Sequence, residues 1–382
     1  MARKVKSEKL ILWFFLCLFT ACNGNQSNKS EDTGDTIPMK YARNLTMVRH
    51  KDYTEVTIRN PWDTATVLHR YVLAPSTSSM RGASIVHVPL QRAGIFTAVH
   101  CGLIKELGCE AAIRGICEIE YINILSIRQA VREGRVANFG SAMEPSIEGI
   151  MDVQPDALLI SPFENSGGYG RVERLGIPII ECADYMEYSP LARAEWMRFY
   201  GRLFGVGERA DSLFHEVEQR YLSLRRKTRS VRQRPTLIAE KPYSGVWYVP
   251  GGSSAMGVLY QDAGADYLFK NSKKNGSLAL SVETVFEVGQ QADVWLIKYN
   301  QSQPLTLSQL KHDYPPFAHF RSFQTGRVYG CNQENSRFYE ETPYHPDRLL
   351  ADLIRIFHPD LGIHCEKAYF QPLSLTLSEG GK

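Results

Sequence analysis

The chain has 382 residues, of which 43% are hydrophobic and 22% charged, with 44 Lys and Arg against 41 Asp and Glu and a formal net charge of +3. That length is enough for two domains, and the near-neutral balance excludes the basic excess expected of a nucleic-acid binder. None of the eight cysteines falls in a Cys-x-x-Cys or Cys/His pattern with zinc-ligand spacing.

Taken in chain order, residues 1–21 read as a processing signal. Arg3, Lys4, Lys6 and Lys9 precede an apolar run from Leu10 to Phe19, which is shorter than the roughly 20 residues needed to cross a bilayer. Thr20 and Ala21 are small residues placed as at a cleavage site, directly before Cys22. Cys22 in that setting resembles the acylated cysteine of bacterial lipoproteins. The competing reading is an uncleaved anchor with Cys22 as an ordinary residue. Residues 23–37 are rich in Asn, Ser, Gly, Asp and Glu with no aromatic residue, a composition that cannot bury a core, and 22–40 is expected to be a tether. Removing residues 1–21 takes away four basic residues and one acidic residue and leaves 40 of each sign, a formal net charge of zero. The expectation is an exported chain held to a bacterial membrane by lipid, its globular part in the periplasm or at the cell surface. One or two disulfides are permitted there, but their pairing is not legible.

Residues 41–83 alternate polar and apolar side chains, as in Thr54-Glu-Val-Thr-Ile58, and predict antiparallel strands. From 84 the texture becomes strand, loop, helix. Strands are predicted at 85–88, 111–116, 157–161 and 176–180, and helices at 94–107, ended by Gly108, and at 126–133. Between 190 and 230 only helical periods occur, 191–204 and 208–227, separated by Gly205 and Gly207. After Pro235 come strands at 236–240, 293–298 and 325–329, a Gly-rich turn at 251–254, and helices at 255–263 and 347–357. This succession predicts α/β lobes at 84–205 and 235–363 with largely parallel sheets, joined by a helix at 206–230. Residues 364–382 carry no clear pattern.

A segment recurs 135 residues apart: Ser146-Ile-Glu148 leads through an apolar helical stripe to Asp156-Ala-Leu-Leu-Ile160, and Ser281-Val-Glu283 through another to Asp293-Val-Trp-Leu-Ile297. Two lobes of similar build would leave such a trace, each with one carboxylate at the same structural place. The alternative is chance recurrence of helix–turn–strand units.

Four segments carry a resemblance. They are Glu148 with Asp156-Ala-Leu-Leu-Ile160, Tyr200-Gly-Arg-Leu-Phe-Gly-Val-Gly-Glu-Arg-Ala210, Tyr248-Val-Pro-Gly-Gly-Ser253, and His345-Pro-Asp-Arg-Leu-Leu-Ala-Asp-Leu353. In this order and spacing they resemble the substrate-binding proteins of ABC importers for iron–siderophores, haem and cobalamin, over roughly residues 84–360. The resemblance implies two Rossmann-like α/β lobes joined by one long rigid helix, the class III arrangement, with a ligand between the lobes. It also implies that Glu148 and Glu283 dock on an ABC permease dimer, which works with a cytoplasmic ATPase. The plainer role for each Glu is to favour a helix N-terminus.

Ligand-binding candidates lie in loops after the predicted strands: Arg92, Tyr169, Tyr185 and Tyr188 in the first lobe, and Lys241, Tyr243, Trp247, Tyr248, Tyr299 and Arg337 in the second. Aromatic rings give large contact area at low entropic cost and stack on flat ligands, although about half of such rings belong to cores or rims. Arg92, Lys241 and Arg337 would serve an anionic siderophore, a tyrosine would serve haem iron, and the aromatics would serve cobalamin. An iron- or cobalt-containing chelate is expected, with no catalytic cofactor and no bare metal site. The chain has no Gly-x-Ser-x-Gly elbow, P-loop or His-Glu-x-x-His. The alternatives are a secreted two-domain α/β enzyme, or a surface lipoprotein that stores or hands over a ligand without a permease.

Overall fold

The computed structural model describes residues 34–78, 80, 85–164 and 168–376. The processing signal, Cys22 and most of the tether lie outside the described residues.

The alternating segment forms β1 (Asp35–Ile37), β2 (Leu45–Arg49), β3 (Thr54–Arg59), β4 (Val67–Pro75) and β5 (Ile85–Val88), one sheet in that order. The first three pairings are antiparallel and the last is parallel. The strand expected to open the first lobe, 85–88, therefore completes this sheet instead. Its buried face, with Met47, Val56, Ile58, Tyr71 and Leu73, shares one core with the first lobe. The Tyr71 hydroxyl donates to Ile179 O and accepts from Glu181 N, both at 2.9 Å, occupying backbone groups at the outer edge of that lobe.

The first lobe is built from β6 (Ala93–Ile95), β7 (Ile113–Ile116), β8 (Ala137–Asn138), β9 (Ala157–Ile160) and β10 (Ile179–Glu181), with α1 (Ala98–Glu106), α2 (Leu125–Arg132) and α3 (Ile147–Val153). All its pairings are parallel, in the order β10-β9-β6-β7-β8. β9 is buried along its whole length, as a strand covered on both faces requires. The helix expected at 94–107 is a strand followed by a helix. Ala93-Gly-Ile95 reads as either by period, and its place in the centre of the sheet decides between them.

The expected helix at 191–204 is two short ones, α4 (Pro190–Glu195) and α5 (Met197–Leu203). Gly205, at φ +73°, then turns the chain into α6 (Gly207–Arg229). At 1.5 Å per residue, α6 is about 34 Å long. Glu208 in its first turn and Arg226, Lys227 and Arg229 in its last match the helix dipole. Ala210, Phe214 and Val217 enter the first lobe's core and Tyr221 enters the second's, so one helix bridges both cores.

The second lobe contains β11 (Thr236–Ala239), β12 (Val246–Pro250), α7 (Ala255–Asp262), β13 (Asp266–Tyr267), β14 (Ser277–Ser281), α8 (Val282–Gly289), β15 (Val294–Tyr299), α9 (Leu307–Asp313), α10 (Arg321–Gln324), β16 (Val328–Asn332), α11 (Phe338–Glu341), α12 (Pro346–Phe357) and β17 (Gln371–Pro372). Its sheet runs β13-β11-β15-β16-β17, parallel except for the last pair, while β12 and β14 form a separate antiparallel ribbon. The patternless tail thus supplies an edge strand. Asp352 anchors it by accepting the N–H groups of Tyr369 and Phe370, both at 2.9 Å.

The recurring segment occupies equivalent places. β9 and β15 each pair with the first parallel strand of their lobe, β6 and β11, across the point where strand order reverses. Asp156 accepts the N–H groups of Gln91 and Arg92 just before β6, at 2.8 Å each, and Asp293 accepts that of Thr236 at the start of β11, at 2.9 Å. The Asp of each copy therefore ties its strand to the neighbouring one.

Candidate functional site

In an open parallel sheet, ligands bind beyond the carboxyl ends of the strands, where strand order reverses. In the first lobe those ends are Phe96 and Thr97 after β6, and Ser161 to Phe163 after β9. A cavity of about 970 Å³ opens there, walled by Phe96, Thr97, Ser161 and Phe163 and by Glu144 to Glu148, Tyr169 and Arg171. A pocket of about 270 Å³ shares Thr97, Ser161 and Phe163 with it and adds His100, Asp184, Tyr185 and Arg193.

A buried polar network underlies this pocket. The Thr97 hydroxyl lies 2.6 Å from His100 Nδ1, and His100 Nε2 lies 3.2 Å from Asp184 Oδ1. The Tyr200 hydroxyl donates to the same oxygen at 2.9 Å, and Arg193 Nε donates to Asp184 Oδ2 at 3.0 Å. Asp184 is 1% exposed. Burial alone would raise its pKa, but the His100 and Tyr200 hydrogen bonds and the Arg193 charge override burial and lower it to about 2.

The sequence candidates separate into groups. Tyr169 and Tyr185 line the two cavities. The Tyr169 hydroxyl donates to Glu181, and that of Tyr185 donates to Pro162 O at 2.5 Å, with burial pushing Tyr185 up to about 12. Arg92 is a correction: it precedes β6, at the amino ends of the strands, and its guanidinium donates to Val153 O. The loop that was expected to hold it follows β5, which belongs to the other sheet. Trp247 is also corrected: it is 0% exposed, its indole N–H donates to Ala239 O at 3.1 Å, and it packs against Trp295, Phe317 and Phe320. Tyr188 lies under Arg43, 5.9 Å from ring centre to guanidinium, against the N-terminal segment.

On the second lobe Tyr243 is 76% and Tyr248 48% exposed. Lys241 and Tyr243 stand beside a tight turn whose Ser244 and Gly245 both have positive φ. Tyr299 ends β15 with its ring over Gly330, where a Cβ would lie 2.8 Å from it. Arg337, half exposed, pairs with Glu341 at 3.3 Å. The structure does not bring these residues onto the walls of the first-lobe cavities.

Glu148 and Glu283 are both exposed in first helical turns. Ser146 and Ser281 cap those helices, accepting from Gly149 N and Thr284 N at 3.1 Å each.

Thr97, His100, Arg171 and Arg193 were not singled out from sequence. Reading Ala93-Gly-Ile95 as a strand would have exposed Thr97 and His100, which follow its end. Arg193 has no sequence signal.

The lobes meet across close contacts. Asn123 N donates to Glu340 Oε1 at 2.5 Å, and its amide to Gln333 O and Ser336 O at 2.8 and 2.9 Å. A Cβ on Gly102 of α1 would lie 2.0 Å from Glu340 O, so only glycine permits this approach to α11. Asn275 donates to Met186 O, and His345 faces Glu106 at 2.6 Å. The cysteines among the described residues are all free, and no described helix is long and apolar enough to cross a membrane.

Two α/β lobes with parallel sheets, one long helix between them and a cavity at a sheet switch point define a two-lobed solute-binding fold. The profile of the periplasmic binding protein family matches residues 102–334, and the chain belongs to that family. A lipoprotein of Methanocaldococcus jannaschii is 26% identical over 287 residues, 72% of this chain and 67% of the relative. A second lipoprotein of the same organism is 23% identical over 85% of this chain and 83% of its own length. Among solved structures, a periplasmic heme binding protein from Pseudomonas aeruginosa superposes with a TM-score of 0.58 at 17% identity, over 75% of this chain and 98% of its own. An Fe3+-hydroxamate transport protein from Saccharomonospora viridis gives 0.58 at 16% identity, over 79% and 98%. A vitamin B12 binding protein of Vibrio cholerae gives 0.51 at 13% identity, over 70% and 96%. At these identities the structural likeness is one of fold.

Proposed function

We propose that this chain is the exported, lipid-anchored solute-binding component of an ABC importer, and that its solute is an iron chelate, siderophore or haem, or cobalamin. The cavity of about 970 Å³ at the switch point of the first lobe carries this reading. It stands at the upper end of the range of small-molecule sites, roughly 300–1,000 Å³, a size suited to a bulky chelate. The haem, hydroxamate and vitamin B12 ligands named for the structural neighbours support the class. Tyr169 and Tyr185 are the aromatic contacts on the first lobe, and Lys241, Tyr243, Tyr248, Tyr299 and Arg337 are the candidates on the second.

Cys22 is the proposed lipidation site, which the lipoprotein relatives support. Glu148 and Glu283 are the proposed permease contacts, one per lobe, whose separation would fix the rotation of the chain on a permease dimer. Charges at an interface rim act more through orientation and encounter than through affinity. The organisation that goes with this function is a tether from 22, shorter than the 22–40 expected because β1 (Asp35–Ile37) already pairs in the accessory sheet, a first lobe ending near 205, a bridging segment at 206–230, and a second lobe that runs past 363 to include β17.

The test is native mass spectrometry with absorption spectra on residues 34–382, which keep β1, mixed separately with haem, cobalamin and ferric siderophores. A one-to-one complex with one of them, released chemically unchanged, is the expected result. Absence of any complex removes the chelate assignment, and turnover of a chelate replaces it with an enzyme.

A further inference from the structure

Arg193 differs from the other cations near the cavity. Arg171 is exposed and lines the larger cavity. Away from these walls, on the second lobe, Lys298 is neutralised by its ion pair with Glu240, and Arg337 by its pair with Glu341. Arg193 is 23% exposed, lines the smaller pocket, and is held there through one nitrogen only: Nε donates to Asp184 Oδ2 at 3.0 Å. Its two terminal nitrogens have no hydrogen-bond or ion-pair partner among the described residues.

The carboxylate that holds it is itself immobile. Asp184 takes the Tyr200 hydroxyl and faces His100 Nε2 on its other oxygen, and His100 is fixed in turn by Thr97. These partners come from the start of α1 and from α5, so the turn that carries Asp184 is pinned by two packed helices, and the guanidinium plane with it. A guanidinium held by Nε keeps its Nη1 and Nη2 edge for a second, two-pronged acceptor, the geometry of a carboxylate or similar oxyanion. A donor oriented before the ligand arrives loses little rotamer freedom on binding.

We infer that Arg193 recognises an acidic substituent of the ligand, a carboxylate or comparable oxyanion, and so makes the site select anionic chelates over neutral ones. The inference deepens the chelate-binding reading above and rests on it for the identity of the rest of the ligand. Asp184, with His100 and Tyr200 behind it, is the positioning group: 1% exposed, it acts through Arg193 by setting the direction of the guanidinium.

The experiment compares two probes that differ only in their acid groups. The chain is titrated with haem, which carries two propionates, and with haem dimethyl ester, in which both are masked, and binding is read from the Soret band. Citrate, a metal-free tricarboxylate, is followed in parallel by thermal stabilisation. In the native chain haem binds more tightly than its ester, and citrate raises the melting temperature. Arg193→Gln weakens haem about 10- to 100-fold, the effect of losing a charged hydrogen-bonded contact. It changes ester binding less than about twofold and abolishes the citrate response.

Arg193→Lys keeps the charge without the fork, falls between the two, and serves in place of Arg193→Gln should that variant not fold. An unchanged ratio of haem to ester affinity in either variant, or an unchanged citrate response, overturns the inference and leaves the chelate reading standing. Citrate stabilisation that depends on Arg193, with no binding of haem or ester, leaves the acid-recognition site and removes haem as the solute. No response to any of the three probes overturns the inference together with the haem assignment.

Discussion

Among the described residues, Glu340 is one of two carboxyls, with Glu106, that make contacts between the lobes. It sits in the second lobe, 4% exposed, and accepts the Asn123 N–H of the first at 2.5 Å. Burial raises its pKa to about 7, more than the Asn123 bond lowers it. A carboxyl raised in the folded state contributes stability that is fully present below its unfolded value near 4.5 and is lost as the pH rises through about 7. Urea unfolding should therefore show stability falling between pH 4.5 and 7 by up to about 3 kcal/mol from this group. Glu340→Gln keeps an acceptor for Asn123 and should remove that slope; an identical slope in the variant would exclude Glu340 as its source. Of the residues at this scale, the place of Tyr169 and Tyr185 on the cavity walls was legible because their loops follow strands that the sequence shows plainly. Trp247 and Arg92 misled for different reasons. The former's ribbon is invisible to a search for parallel strands, and the latter's neighbouring strand joins another sheet.

At the scale of elements, the recurring segment proves to be a device with three parts in each lobe. A serine caps the helix, a glutamate stands in its first turn, and an aspartate holds the neighbouring strand. Asp156→Ala and Asp293→Ala should each destabilise by about 1 kcal/mol, the cost of leaving strand-end N–H groups to water. Denaturant midpoints measure this, and a large difference between the two would show that the places are not equivalent. The strands of continuous apolar residues, β9 and β15, and the long helix α6 were legible from period and from the glycines before it. β6 was not, because three residues with one glycine carry no period. β17 was not either, since its pairing comes from Asp352 capturing Tyr369 and Phe370 from a distant helix.

At the scale of the molecule, α6 stands in both cores and is braced along its length. Lys40 and the Tyr41 hydroxyl pair with Glu218 at its middle, and Arg220 Nε donates to Asp347 at 2.7 Å. Residues 40–44 are stitched beside it: Glu195 takes the N–H groups of Lys40, Tyr41 and Ala42 at 2.8 Å each, and Glu187 takes that of Asn44 at 2.9 Å. A helix so braced favours small changes in the angle between lobes. The docking proposal belongs to this scale because it needs one exposed carboxylate on each lobe. Placing Lys at both 148 and 283 costs each helix N-terminus no more than about 1 kcal/mol, so the variant should stay folded by circular dichroism. Chelate uptake by cells depending on this chain should be lost, and uptake that survives the double reversal would remove these residues from the permease contact.

The sequence by itself determined the two-lobed α/β class, the bridging helix and the paired glutamates, since each rests on local period or on a repeat that neighbouring residues spell out. Tertiary structure alone decided which strand opens each sheet, where the tail pairs, and that Thr97, His100, Asp184 and Arg193 meet. Those four come from three segments as much as 96 residues apart in sequence, and their convergence depends on the order of strands in a sheet. That order is set by which apolar faces bury against which, a property of the whole packed core that no single window of sequence carries.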